Sequence, residues 1–218
     1  MTIAAASANV ESPPSSTLPK TLPAPPRVDL FGDIHKAIRF ALSELLGQMG
    51  RAVFTDASSV ERIVAQLEDV LSLCEDHRGH EDRLIFPSLG TRLQGTLDCA
   101  QAAHACRPVQ IAELHALAEA LRAAIDPRRQ LLAGRTLYLH FSTFTAELLL
   151  HMAEEERVVQ PLLEHFFTDD ELDEVHGQLL AALTPEEKMR SAPWLLRAMN
   201  PEELSKPQYA DLVSSAGL

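Results

Sequence analysis

Apolar residues recur at three- and four-residue intervals through four long stretches of this chain, the spacing of a buried helical stripe. The first stretch, from about Asp29 to Gly50, carries Phe31, Ile38, Leu42, Leu45 and Met49 in phase. The second follows the polar turn Thr55-Asp56-Ala57-Ser58-Ser59 with Val60, Ile63, Leu67, Val70, Cys74 and Leu84. It is predicted to end at Phe86-Pro87, because proline cannot propagate a helix. Gly90 and Gly95 mark the next connection. The third stretch, about Thr96 to Ile125, aligns Leu97, Ile111, Leu114, Ala118, Leu121 and Ile125. Asp126-Pro127 turns the chain into the fourth, about Arg129 to Phe167, with Leu137, Phe141, Phe144, Leu148, Val158 and Leu162 inward. Short connections between long amphipathic helices make consecutive helices antiparallel neighbours. The expected fold is all-α, an up-down antiparallel four-helix bundle.

Three capping signals follow the bundle: Thr168-Asp169-Asp170-Glu171, Thr184-Pro185-Glu186-Glu187 and Asn200-Pro201-Glu202-Glu203. Each sets a cap residue three before a Glu, and two place Pro at the first helical position. Two or three short C-terminal helices are therefore expected. The first residues are rich in Pro, Ser and Ala, the composition of a disordered tail. The domain reading is a tail over 1–28, the bundle over 29–167 and a helical extension over 168–218.

Charge and composition narrow the function. The net charge is −12 with no basic cluster, which argues against nucleic acid and anionic membranes as partners. No apolar run is long enough to span a bilayer. Cys74, Cys99 and Cys106 are odd in number and form no C-x-x-C, as expected for reduced thiols in a cytoplasmic protein.

Polar residues interrupt the apolar stripes at one level. His35, His77, His104 and His151 each lie on the stripe of a different helix. His77 and His151 begin matching elements: His, Glu four residues on (Glu81, Glu155), then Pro six further (Pro87, Pro161). Positions i and i+4 share a helix face, so each element aims an imidazole and a carboxylate at one spot. Reflecting residue numbers through the turns levels the four histidines. His35 and His77 have their midpoint at Asp56, His77 and His104 at Gly90-Thr91, and His104 and His151 at Pro127-Arg128, each inside a connection. Glu81 and Glu155 lie one turn further along, about 6 Å away by the helical rise. His115 is the rival for the third-helix position, since Glu113-Leu114-His115 repeats the pattern of Asp33-Ile34-His35.

Four imidazoles and two carboxylates in one apolar layer would each cost several kcal/mol if left uncompensated, and a bound cation offsets that cost. The donor set suits iron, zinc or manganese and contains no thiolate group of the structural-zinc type. Lesser candidates are His80, as a hydrogen-bond partner of a ligating carboxylate or a surface group, and Glu147, as a solvated flank. Glu154-Glu155-Glu156 reads as partly ligand and partly solvated face.

His35, the His77-x-x-x-Glu81…Phe86-Pro87 element, a third-helix His and His151-x-x-x-Glu155…Pro161 together resemble the hemerythrin-like (HHE) di-iron proteins. The resemblance spans about residues 29–167. It implies two irons per chain bridged by Glu81 and Glu155, with His35, His77, His104 and His151 as terminal ligands. It implies a function in binding or sensing O₂, NO, peroxide, or iron and redox state. The alternative it implies is a di-iron enzyme or repair protein acting in iron-cluster repair, NO reduction, iron oxidation or peroxide removal. One departure stands out: oxygen-carrying hemerythrins have a second histidine close to the first on helix three, and here Ala105, Cys106, Arg107 and Pro108 follow His104. Reversible O₂ carriage is accordingly not expected.

Overall fold

A computed structural model describes residues 27–90 and 98–216. The expected tail falls mainly on residues 1–26, and the Gly95 turn on 91–97, both outside the described residues. The described residues are mostly helical, with no strand among them. Helix α1 is Gly32–Arg51, α2 Ala57–His80, α3 Phe86–Gly90, α4 Asp98–Ala123, α5 Pro127–Glu154 and α6 Gln160–Phe166. Asp56 caps α2 through a carboxylate that accepts the Ser59 N–H, and Asp126 caps α5 by accepting from Arg128 and Arg129. α1 packs on α2 and α5, and α4 packs on α2 and α5. The apolar stripes meet in a core that includes Ile38, Leu42, Leu45, Leu67, Leu71 and Phe141.

Two departures from the regular pattern share one cause. The second helix does not stop at Phe86-Pro87. A π-helical turn, Glu81–Ile85, joins α2 to α3, and a second one, Glu155–Val159, joins α5 to α6. The Phe86 N–H donates to the Glu81 carbonyl and the Gln160 N–H to the Glu155 carbonyl, both five residues back. Proline is the next residue each time. In a regular helix its ring would press on the carbonyl four residues earlier, and the widened turn relieves that clash while the helix continues. The extra residue also shifts the helical phase. Val158, expected inward, is exposed, and Val159 is buried instead; in the other copy Ile85 rather than Leu84 takes the fully buried place. Ile125, also expected on a stripe, lies past the end of α4 and is exposed.

All three capping boxes form, with Thr168, Thr184 and Asn200 each accepting from the backbone three residues on. They begin α7 (Asp169–Ala182), α8 (Pro185–Ala198) and α9 (Pro201–Leu204); a 3₁₀ turn and α10 (Ala210–Ala216) follow. The extension is thus one short helix longer than expected. α8 lies along α1 and α2. Trp194 is buried there, its indole N–H donating to Asp69 at 3.0 Å, while Arg190 pairs with Asp76 and Arg197 with Glu44. Arg27 pairs with Asp169 at 2.6 Å, which fixes the start of the described chain to α7. No helix among the described residues is long and apolar enough to cross a membrane.

Candidate metal centre

Two apolar clusters leave a polar layer between them. One is the main core; the other gathers Leu30, Phe31, Ile85, Phe86, Val159 and Leu163 at one end. On α1, His35 falls between Phe31 and Ile38. On the second and fifth helices, His77–Glu81 falls between Cys74 and Ile85, and His151–Glu155 between Leu148 and Val159. His104 enters from α4. The six residues come together in two overlapping groups, His35, His77, Glu81 and Glu155, and Glu81, His104, His151 and Glu155, with donor atoms within 4.8 Å of one another. Such a buried set can hold a metal ion. His115 lies outside both groups, and His140 is exposed with Nδ1 toward the Thr136 carbonyl.

The carboxylates are shared between two imidazole pairs. His35 and His77 bring their Nε2 atoms to 3.0 Å, and His104 and His151 theirs to 2.8 Å. Glu81 sets Oε1 3.1 Å from His77 and Oε2 3.4 Å from His104. Glu155 sets Oε2 3.4 Å from His35 and Oε1 3.1 Å from His151. Each carboxylate therefore sends one oxygen to each pair. Nitrogens about 3 Å apart match neighbouring ligands around a cation with bonds of about 2.1 Å at right angles.

Two further carboxylates hold the rings. His35 Nδ1 is 2.9 Å from Glu156 and His104 Nδ1 is 2.7 Å from Asp82. An ionised carboxylate only accepts, so each Nδ1 carries the proton. In the neutral ring, Nε2 is then a bare lone pair facing carboxylate oxygens, an arrangement that requires a proton or a metal ion between them. Glu156 is itself held by Arg39, with Nη1 at 2.6 Å, and Asp82 by Arg78. Glu156 is thus not a solvated face. The sequence signal for this pair was present: an acidic residue follows the motif Glu in both copies, Glu81-Asp82 and Glu155-Glu156.

The electrostatics show the same unmet demand. Burial pushes the His35 pKa down, but the Glu156 hydrogen bond and the charges of Glu81 and Glu155 overcome it and raise it to about 9. His104 is also raised, its burial outweighed by Glu155, Glu81 and Asp82. His77 is driven well down by burial and by the neighbouring imidazoles. Burial and the repulsion of Glu155 raise Glu81, whereas Glu155, despite burial, is held low by His104 and His151. Glu156 falls to about 2, its burial outweighed by His35 and Arg39. Glu81 Oε1, both Glu155 oxygens and His151 Nδ1 are buried without a hydrogen-bond partner. Orphaned buried oxygens on charged groups are costly, and a cation placed between the imidazole pairs would engage all three. The residues fit a bound metal ion.

The remaining candidates sort simply. His80 is buried but turns away from Glu81, meeting Glu187 at 3.2 Å and Arg83 at 3.1 Å. Glu147 is exposed and accepts from Gln110. Beyond His104, Cys106 is exposed; Arg107 is buried, with its guanidinium 5.2 Å from the centre of the Phe144 ring.

No family model matches the chain. It is similar to the F-box/LRR-repeat protein 5 of Salmo salar, 25% identical over 195 residues, which are 87% of this chain and 27% of that protein. It is similar to a zinc finger protein BRUTUS-like of Arabidopsis thaliana, 24% identical over 177 residues, 81% of this chain and 14% of that protein. The F-box/LRR-repeat protein 5 of Mus musculus is 24% identical over 160 residues, 73% of this chain and 22% of that protein. The chain therefore spans about a quarter or less of the curated relatives it matches, and what it shares with them is one segment of much longer proteins.

Proposed function

We propose that this is a hemerythrin-like protein in which α1, α2, α4 and α5 form an up-down four-helix bundle around two irons. Glu81 and Glu155 bridge the irons; His35 and His77 bind one, His104 and His151 the other. Its function is to bind or sense a small ligand, O₂, NO or peroxide, or the iron and redox state itself. The observation that carries the reading is the sharing of both carboxylates between the two imidazole pairs.

The cluster offers four imidazole nitrogens and four carboxylate oxygens, eight donors from the six residues. A pair of octahedral cations takes about a dozen. Bound iron would supply open coordination positions and one-electron redox chemistry. The protein's own contribution is orientation and dryness. Glu156 and Asp82 fix the His35 and His104 tautomers so that Nε2 faces inward, and the flanking apolar clusters keep bulk water from the layer. A second reading, a di-iron enzyme or repair protein, draws on a different observation: a cavity reaches His77 and Glu81.

Anaerobic Fe(II) loading, metal analysis and optical spectra test the proposal. About two irons per chain are expected, set by the paired donor groups. The oxidised form should take up azide or react with NO. Absence of iron uptake would refute the metal assignment, and an oxygenated spectrum that clears under argon would refute the non-carrier reading. Repeated turnover of peroxide or NO would favour the enzyme.

A further inference from the structure

Between α1, α2 and the C-terminal helices α7 and α8 lies a cavity of about 200 Å³. Its walls are mostly apolar, with Leu30, Ile34 and Leu73 on the bundle side and Leu179, Leu183 and Leu195 on the other. Its inner end is the candidate metal centre, because His77 and Glu81 line it. His77 exposes 10% of its side chain, against 0% for His35 and 5% for His104 and His151. The imidazole most open to an incoming molecule is therefore the one at the cavity. Beside it, Glu81 keeps a buried oxygen without a hydrogen-bond partner.

Size and charge define the occupant. An apolar cavity of roughly 150 Å³ accommodates benzene. By the same scale this one holds a molecule of about eight non-hydrogen atoms. Its five carboxylates, Asp29, Asp33, Asp76, Glu81 and Glu187, outnumber its three histidines, His77, His80 and His176, and it has no Lys or Arg. Arg190 and Lys206 pair with Asp76 and Asp33 from outside the lining, which stays net negative with its histidines neutral. In the metal-free chain an organic anion would meet an excess of like charge. His176 also lines the cavity and makes no hydrogen bond among the described residues, so it offers a donor or acceptor to a hydroxyl.

We propose that this cavity binds a small neutral organic molecule of the phenol class and holds it against the His77–Glu81 edge of the centre. The binding stands on the cavity alone; service to a metal rests on the di-iron reading above.

The test is ligand-observed NMR on the full chain with phenol as probe and benzoate as its anionic counterpart. The chain is used metal-free, zinc-loaded and loaded with ferrous iron. Phenol should bind all three forms, and in the metal-free form benzoate should bind about tenfold more weakly or worse because of the carboxylate lining. Leu179→Trp and Ser191→Leu, which fill the cavity from α7 and α8, should each weaken phenol about tenfold while iron stoichiometry is unchanged. Ferrous iron, and not zinc, should broaden the resonances of bound phenol. Equal binding of phenol and benzoate by the unsubstituted metal-free chain would overturn the proposal, whether or not the filled variants fold. Phenol binding untouched by both filling substitutions would overturn it too. Iron uptake without phenol binding removes the cavity ligand and leaves the di-iron reading; phenol binding without metal uptake does the reverse. Binding without iron-induced broadening refutes the placement at the metal edge.

Discussion

Glu156 and Asp82 carry the finest detail of this site, and neither is a donor to the cluster itself. Each fixes the proton on a histidine Nδ1 and so determines which nitrogen faces the other donors. Glu156→Gln and Asp82→Asn keep shape and remove the charge. Each should weaken metal binding by about 10- to 100-fold, the usual effect of losing an outer partner. Competition against a chelator of known affinity, with circular dichroism to confirm the helices, measures it. Unchanged affinity in both variants would show that the ring orientation needs no carboxylate. At this scale the gathering of the six residues was legible in the sequence, because His-x-x-x-Glu occurs twice and helical levelling brings His35 and His104 to the same height. The supporting carboxylates were legible only as an acidic residue after each Glu. Within Glu154-Glu155-Glu156, the residue that flanks the ligand candidate Glu155 reads as solvated face until the local backbone is known.

That local backbone belongs to the element scale. Periodicity located the long helices and the capping boxes located α7, α8 and α9. It failed at the π turns, since a hydrophobic pattern read at 3.6 residues per turn assumes an unbroken helix. Pro87 was read as a terminator, and the fourth helix was carried through Pro161 as if regular, whereas each proline follows a widened turn that its helix passes through. Two glycines make the element-scale prediction. Gly134 in α5 lies against Phe54, and a Cβ there would fall 2.2 Å from the base of that ring. Gly177 in α7 is exposed, with nothing within 4 Å of an added Cβ. Gly134→Ala should destabilise by about 1–3 kcal/mol through overpacking. Gly177→Ala should stabilise by about 0.5–1 kcal/mol through reduced backbone freedom in the unfolded chain. Urea melts of the two variants read both, and the same sign for both would contradict the packing described.

At the scale of the whole molecule, the proposed metal centre predicts that stability depends on metal and on protons. A ligand present at about 1,000 times its Kd adds about 4 kcal/mol to folding stability. Removing metal should therefore lower the melting temperature by about 10 °C or more for a chain of this size. Without metal, His35 has its pKa raised from 6.5 to about 9. Its contribution is full below the unfolded value near 6.5 and is lost as pH rises through the folded one. The metal-free protein should consequently melt lower at pH 9 than at pH 6.5. Saturating metal, which displaces that proton, should flatten the profile. Calorimetry across this range with and without metal decides it; a metal-free protein equally stable at both pH values would remove the protonated His35 from the account.

The supporting carboxylates also connect distant parts of the chain. Glu156, late in the sequence, steadies a ring from the first helix, and Asp82, from the second, steadies a ring from α4. Glu81 and Glu155 are shared across the same divide. Neither helical hairpin therefore contains a finished socket: each lends the other a bridge and a brace. Assembly of the socket must await the docking of the two hairpins, so metal capture reports that docking rather than the formation of either hairpin alone.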